Sequence, residues 1–331
     1  MNFKRVPRIL DSKELMDYAF SRASREARKV SASGARLQRV KKREERRIII
    51  AGSSVRRYLN RILMRIPRIE ELTPFYKELI EVMVGMERFS HSLRSLRWLV
   101  NKIERLEGEY TRRVRSARSE EEVHSYRREF YGRLASLLRK IESELLFLRE
   151  ARERLKNLPS VEDTFTVVIA GAPNVGKSSL LRRLTGAEPR VESYPFTTKQ
   201  LLLGYFEHNH RRVQVIDTPG LLDRSFEDMR REERQCILAL KHLANLVIFL
   251  FDITETCGYP LEEQLHIYRG IEQGFDVDVI PVINKGDLLT EEMLREAKKT
   301  EPLDRALVCS AKEGKGIAEI IKKINKAMDN K

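Results

Sequence analysis

Apolar positions along this chain follow two different periods, and the change comes near position 160. Before it, they recur at three- and four-residue steps. Leu79, Val82, Met86, Phe89, Leu93, Leu96, Val100 and Ile103 make one seam; Val123, Tyr126, Phe130, Leu134, Leu137, Ile141, Leu145 and Leu148 make another. That spacing keeps side chains on one helix face, and each seam would run roughly 36 Å at about 1.5 Å per residue. An Arg/Ser-rich stretch from about Arg112 to Arg118 would turn the first into the second as an antiparallel hairpin. Ser119 three before Glu122, and Asp11 three before Glu14, have the spacing of a capping box. Val55, Leu59, Ile62 and Ile66 predict a shorter amphipathic helix stopped by Pro67. Residues 1–160 therefore read as an all-α bundle of three or four helices, with Trp98 and its aromatic neighbours as core or rim packing.

After Leu158-Pro159-Ser160 the runs shorten to strand length and alternate with amphipathic stretches. Six apolar runs (Thr166–Ala170, Leu201–Phe206, Val213–Ile216, Leu246–Phe251, Val277–Ile283 and Ala306–Cys309) predict a mostly parallel six-stranded sheet covered by helices, an α/β domain over 161–331. His208-Asn209-His210 joins the second and third runs as a hairpin turn, so one strand should be antiparallel. The two histidines read as a solvated turn rather than a metal pair. No internal repeat of 20–50 residues is apparent.

Composition adds class and compartment. A chain of 331 residues exceeds the roughly 100–200 of one domain, and 34% charged with 41% hydrophobic residues fits a globular protein. Cys236, Cys257 and Cys309 are scattered without metal-ligand spacing, and their odd number argues against a disulfide framework. No apolar run approaches the roughly 18 residues of a membrane span, and MNFKRVPRIL lacks a secretory signal. The expectation is a cytoplasmic protein. The formal net charge of +14 is unevenly placed: residues 1–160 hold 39 lysines and arginines against 22 acids, while residues 161–331 hold 24 against 27. The helical half should attract a polyanion.

The candidate chemistry lies in the second half. Gly171-Ala172-Pro173-Asn174-Val175-Gly176-Lys177-Ser178 fits GxxxxGK[ST], follows a strand and opens a helix that continues with Ser179. Backbone N–H groups there can converge on phosphate oxygens, with Lys177 reaching the outer phosphates and Ser178 a Mg²⁺ ion. Asp217-Thr218-Pro219-Gly220 ends another strand; Asp217 suits the same ion and the Gly220 N–H a γ-phosphate. Asn284-Lys285-Gly286-Asp287 places a carboxylate where it can accept from guanine N1–H and N2, which adenine cannot satisfy. Ser310-Ala311-Lys312 follows the last strand, where a backbone N–H would meet guanine O6. In Tyr194-Pro195-Phe196-Thr197-Thr198-Lys199, Thr198, with Thr197 as the alternative, would close onto Mg²⁺. Each motif is weak alone, but four in this order behind strands imply GTP and Mg²⁺ as ligands. Lys177, Thr198 and Gly220 are then the candidate catalytic residues. Leu221 stands where Ras-like enzymes carry the glutamine that orients water, so slow intrinsic hydrolysis is expected.

The chain resembles the Obg-like branch of translation-factor-class GTPases and, more narrowly, the nucleolar GTP-binding protein (Nog) family. The resemblance is carried by GAPNVGKSS from Gly171, YPFTTK from Tyr194, DTPGLLDR from Asp217, RQCILALKHL from Arg234 and FDITETCGYPLEEQ from Phe251. It implies a Ras-like, OBG-type G domain behind a basic helical bundle, and a GTPase acting as a nucleotide-gated assembly factor for the large ribosomal subunit. The sequence stops after the helix near Gly316–Lys326, which implies a short, archaeal-type form. Cys257 would then pack a loop. Related GTPases with Asn at the position of Asn174 and a hydrophobic residue at that of Leu221 can use K⁺ near the phosphates, which makes Asn174 the candidate K⁺ ligand.

The expected partners are the large-subunit precursor and ribosomal RNA, with no membrane and a monomer away from the ribosome. The densest basic run, Arg36, Arg39, Lys41, Lys42, Arg43, Arg46 and Arg47, would contact RNA phosphates, joined by Arg56, Arg57 and Arg61 on the following helix. Two alternatives are a GTP-gated binding module with negligible hydrolysis and a membrane-surface signalling GTPase. Stimulation of turnover by ribosomal particles or K⁺ separates the first from an enzyme.

Overall fold

The structure, a computed structural model, describes residues 3–30, 35–195, 200–223 and 231–330. It divides into two compact units, Asn2–Glu71 with Met83–Lys156, and Leu72–Val82 with Asn157–Lys331.

The first unit is helical. It contains α1 (Ser12–Arg28), α2 (Arg36–Arg65), α4 (Met86–Ser116), α5 (Glu120–Lys140) and α6 (Glu142–Leu155). Leu15, Ala19, Ala23 and Ala27 of α1 are wholly buried at four-residue spacing, and their small side chains let α2 come close. At the start of α1, Asp11 accepts from the Glu14 N–H at 2.8 Å while Glu14 accepts from the Asp11 N–H at 2.9 Å, a complete capping box. Ser119 makes only half of one: it accepts from the Glu122 N–H, but the Glu122 carboxylate takes the Arg118 N–H instead. Arg149 and Arg152 of α6 tie down the N-terminal segment by donating to Ile9 O and Val6 O.

Both predicted seams are interrupted, and among the described residues of 1–160 six α-helices replace the three or four expected. The first breaks at Gly85, whose φ of +78° suits glycine, and its opening residues form a separate helix, α3 (Pro74–Val84). Most of α3 belongs to the other unit, where the Tyr76 hydroxyl donates to Pro159 O at 2.9 Å and accepts from the Val161 N–H. The second seam breaks at Ile141, which has non-helical ψ and separates α5 from α6. A heptad count cannot see either break, because the residues on both sides stay apolar and near register. The Val55–Ile66 segment is the end of α2, not a helix of its own. Glu44 and Ile48 continue its buried face, and Glu44 is held by Arg47 at 2.7 Å and Arg127 at 3.0 Å. Trp98 is 42% exposed, with the Lys140 ammonium 5.3 Å from its ring, so it sits at the rim rather than in the core.

The second unit holds β1 (Phe165–Ala170), α7 (Lys177–Thr185), β2 (Arg190–Ser193), β3 (Gln200–His208), β4 (Arg211–Asp217), α8 (Arg231–Ala239), β5 (Leu246–Phe251), α9 (Leu261–Gly274), β6 (Val279–Ile283), α10 (Glu291–Ala297), β7 (Leu307–Val308) and α11 (Ile317–Asp329). The sheet order is β2-β3-β4-β1-β5-β6-β7. Only β3 runs against the rest, as the hairpin expectation required. Its turn uses Asn209 and His210, both at positive φ, the backbone of a tight two-residue hairpin. The seventh strand, β2, was missed because its sequence, RVES, has one apolar residue and lies at an edge. The core strand β5 is buried at every position, as a strand flanked on both sides and covered on both faces must be. Cys257 and Cys309 are buried, and burial pushes the Cys309 thiol up to about 12.

Candidate functional site

Parallel strands flanked by helices leave a crevice at their carboxyl ends. The loops after β1, β4, β6 and β7 carry the four nucleotide motifs, and the loop after β5 carries the Glu255–Tyr259 stretch. Thr197 and Thr198 lie outside the described residues.

The turn from β1 into α7 is shaped by close approach. Gly171 has φ +138°, Gly176 +101° and Asn174 +59°. A Cβ at Gly176 would lie 2.3 Å from Asn284 Nδ2, in a backbone conformation that L side chains rarely adopt. Gly176→Ala is therefore expected to displace Asn284 and lower nucleotide affinity at least ten-fold, measured by calorimetry beside a thermal unfolding curve. Lys177 is 7% exposed, and its ammonium donates to Gly171 O at 2.7 Å and Ala172 O at 2.8 Å, curled within its own loop. Burial holds its pKa below the ordinary lysine value. Ser179 and Asn174 are exposed, Pro173 and Ser178 are half-buried, and Val175 is buried.

Asp217 is fully buried at the end of β4, and burial raises its pKa despite the Ser178 and Lys177 groups beside it. Its Oδ2 accepts from Ser178 Oγ at 2.5 Å, and its Oδ1 has no hydrogen-bond partner among the described residues. A buried carboxylate oxygen left without a donor, next to a hydroxyl, is the donor set of a hard cation with oxygen ligands. Ser178 and Asp217 therefore fit Mg²⁺. Thr218 donates its hydroxyl to Ile169 O, which ties this loop to β1; Pro219 and Gly220 follow, half-buried. Leu221 is wholly buried, so its side chain reaches no water at all.

The third cluster is built around Asn284. Its Nδ2 donates to Val175 O at 2.7 Å and its Oδ1 accepts the Ala311 N–H at 2.9 Å, stapling the 171–178 turn to the 310–312 loop. Asp287 Oδ1 accepts from Ser310 Oγ at 2.6 Å, a hydrogen bond that holds the carboxyl below its ordinary value and keeps it ionised.

Two features were missed from sequence. Asp252, wholly buried after β5, accepts from Lys285 Nζ at 2.6 Å, the Cys257 N–H at 2.8 Å and the Thr254 and Thr256 hydroxyls. Although burial works against its charge, Lys285 and Thr254 hold its carboxyl below the ordinary value. Lys285 is thus anchored by the 252–257 loop, part of one of the stretches that carry the family resemblance. The available signal was an aspartate at the carboxyl end of the most apolar strand. The second is Arg183 on α7, which donates to Ala311 O and Lys312 O; nothing in its local pattern marks it.

The basic run of α2 is divided by its own packing. Arg36 pairs with Glu120 at 3.0 Å, Lys41 donates to Arg115 O, and Arg47 pairs with buried Glu44. Arg39, Lys42, Arg43 and Arg46 are exposed at three- and four-residue spacing, one face of the helix. Arg57 and Arg61 lie further along the same helix, not on a following one, and are also exposed; Arg56 pairs with Glu104 and Glu107.

Residues 3–162 match the family described as NOG1 N-terminal helical domain, and residues 166–285 match 50S ribosome-binding GTPase. Uncharacterized protein MJ1408 of Methanocaldococcus jannaschii is 40% identical over 294 residues, which is 88% of this chain and 83% of that one. Nucleolar GTP-binding protein 1 of Kluyveromyces lactis is 33% identical over 301 residues, 90% of this chain and 47% of that one. Its Arabidopsis thaliana counterpart is 33% identical over 313 residues, again 90% and 47%. The chain spans about half the length of these two nucleolar relatives.

Proposed function

Because the chain belongs to the family of nucleolar GTP-binding protein 1, we propose that it is a GTPase whose nucleotide state gates docking on ribosomal particles. It is a GTP-binding protein with a GTPase domain. The observation that carries the finer reading is the gathering of Lys177, the Ser178–Asp217 pair, Asn284 and the Ser310-held Asp287 at one end of one sheet. Phosphates would lie over the amides of 171–178, with Lys177 released from its own carbonyls to the outer phosphates. Ser178 and Asp217 would hold Mg²⁺, which neutralises charge on the phosphate oxygens. Asp287 would inspect the base.

The exposed face of Arg39, Lys42, Arg43 and Arg46 supports a polyanion as the partner of the helical unit, and the family supports ribosomal RNA of the large subunit. Co-sedimentation with large-subunit particles tests this. Binding is expected to be tighter with a non-hydrolysable GTP analogue than with GDP, and to weaken by at least ten-fold when those four residues become alanine. Equal binding in both nucleotide states removes the gating.

Burial of Leu221 favours one second reading, a GTP-gated module that hardly hydrolyses. The remaining device is K⁺ beside Asn174, which is exposed at the crest of its turn. Multiple-turnover hydrolysis in KCl, in NaCl and with added particles decides. Stimulation by K⁺ or particles identifies the enzyme, and a uniformly negligible rate identifies the module.

A further inference from the structure

A single aromatic ring at the surface of a helical bundle is ordinary, but the surroundings of Trp98 are not. The indole is 42% exposed on α4, and the Lys140 ammonium lies over it, 5.3 Å from the ring centre. Lys140 is the last residue of α5, where that helix breaks at Ile141. One turn before and one turn after Trp98 stand Arg94 and Lys102, and the positions three residues away are Ser95 and Asn101. Arg94, Asn101, Lys102 and Lys140 are exposed. Among the described residues, Arg94, Lys102 and Lys140 make no ion pair. Further along the same helix the arginines are consumed: Arg113 pairs with Glu129 at 2.8 Å and Arg115 with Glu45 at 2.5 Å.

We infer that Trp98 is a stacking platform for an unpaired RNA base, with Arg94, Lys102 and Lys140 on the flanking phosphates. This rests on the reading of RNA as the partner of the helical unit, and adds a site on α4 to the basic face of α2. An exposed aromatic ring among unneutralised cations is what single-stranded nucleic acid requires: every base has a π-face to stack, and every base is joined to a phosphate. The Lys140 ammonium holds the ring through its π-electrons, so the platform is ordered before RNA arrives and less freedom is lost on binding. A duplex keeps its bases stacked on one another, so a loop, bulge or single strand is the form that fits. A lipid surface would need a continuous apolar stripe on α4. Positions 94, 95, 101 and 102 around the ring are all polar.

Trp98 is the single tryptophan of the chain, so its emission reports on this site alone. The full chain is titrated with an oligoadenylate of about twelve nucleotides, with an abasic ribose-phosphate oligomer of the same length, and with phosphatidylserine vesicles. The oligoadenylate is expected to quench the emission and to bind about five-fold or more tightly than the abasic oligomer. Trp98→Ala should erase that preference and leave the salt dependence of binding as it was. Arg94→Ala combined with Lys102→Ala should instead flatten the logarithmic salt slope by about 0.7 per charge removed. Trp98→Phe, followed by anisotropy of a labelled oligomer, should keep most of the preference, and supplies the measurement if the alanine variant unfolds early. Unquenched emission with equal affinity for the two oligomers overturns the inference and leaves backbone binding by the helical unit standing. A shifted emission with vesicles and none with RNA marks a membrane face and overturns it as well. A wild type that binds neither oligomer nor folded ribosomal RNA overturns the RNA reading itself, and the inference with it.

Discussion

Lys177→Ala is expected to lower GTP affinity by roughly 10²–10⁴-fold while leaving the protein folded. The ammonium would make two charge-assisted contacts to phosphate oxygens in a desolvated turn, each worth about 1.5–3 kcal/mol. At about 1.4 kcal/mol per decade, the loss takes a micromolar ligand into the millimolar range. The structure says why folding should survive. Lys177 is 7% exposed, burial opposes its charge, and among the described residues its ammonium donates to Gly171 O and Ala172 O of its own turn. Alanine removes a buried cation and opens those two carbonyls to water, so the thermal midpoint should move by no more than about 5 °C. Titration calorimetry with GTP and Mg²⁺, beside a melting curve, measures both. Retained tight binding in this variant would count against the entire phosphate assignment.

Asp287→Asn should act on choice of base rather than on phosphate grip. The carboxylate offers two acceptors to the N1–H and amino group of guanine, and the Ser310 hydroxyl fixes its orientation at 2.6 Å. Asparagine offers one acceptor and one donor, so it leaves a guanine amino group facing an amide N–H. Guanosine affinity should fall by at least 10²-fold, and preference over adenosine should relax from the order of 10⁴ or more that such a site can supply. Xanthosine, with an oxygen where guanine has its amino group, should gain in relative affinity. The Ser310 hydrogen bond holds Asp287 below the ordinary carboxylate value, so its ionised form is favoured and wild-type selectivity should be flat from pH 6 to 8, roughly. A variant that keeps full guanosine preference would move base recognition elsewhere. Competition of the three diphosphates against a fluorescent guanosine nucleotide reads all of this in one titration.

The contrast between the two halves of the chain explains what was legible without coordinates. Phosphate and base motifs are local: a turn of eight residues must present converging amides, so its glycines, lysine and serine are written consecutively. Strand–turn order is local too, and six of seven strands were apparent from short apolar runs. The edge strand β2 escaped because an exposed edge needs little apolar side chain. Helical seams were legible as faces but not as lengths. Gly85 and Ile141 interrupt helices without shifting the apolar stripe, and the buried Glu44 made a continuous helix look polar over 36–47. The assignment of most of α3 to the sheet-bearing unit depends on Tyr76 meeting the backbone of Pro159 and Val161, more than eighty residues away.

The amino-acid sequence by itself determined the fold class, the order of the elements and which residues make up the candidate nucleotide site, because each depends on backbone conformation within a few residues. Tertiary structure alone decided how those residues are held. Asn284 joins two loops, Asp252 anchors Lys285, Arg183 grips the carbonyls of Ala311 and Lys312, and Asp217 keeps one oxygen without a partner among the described residues, because burial and hydrogen bonds between distant segments exist only once the sheet has closed. The same folding step divides the basic run of α2 into arginines consumed by internal carboxylates and a face of four left to solvent. No count of charges along a chain can make that division, since the carboxylates that neutralise Arg36 and Arg47 are chosen by packing.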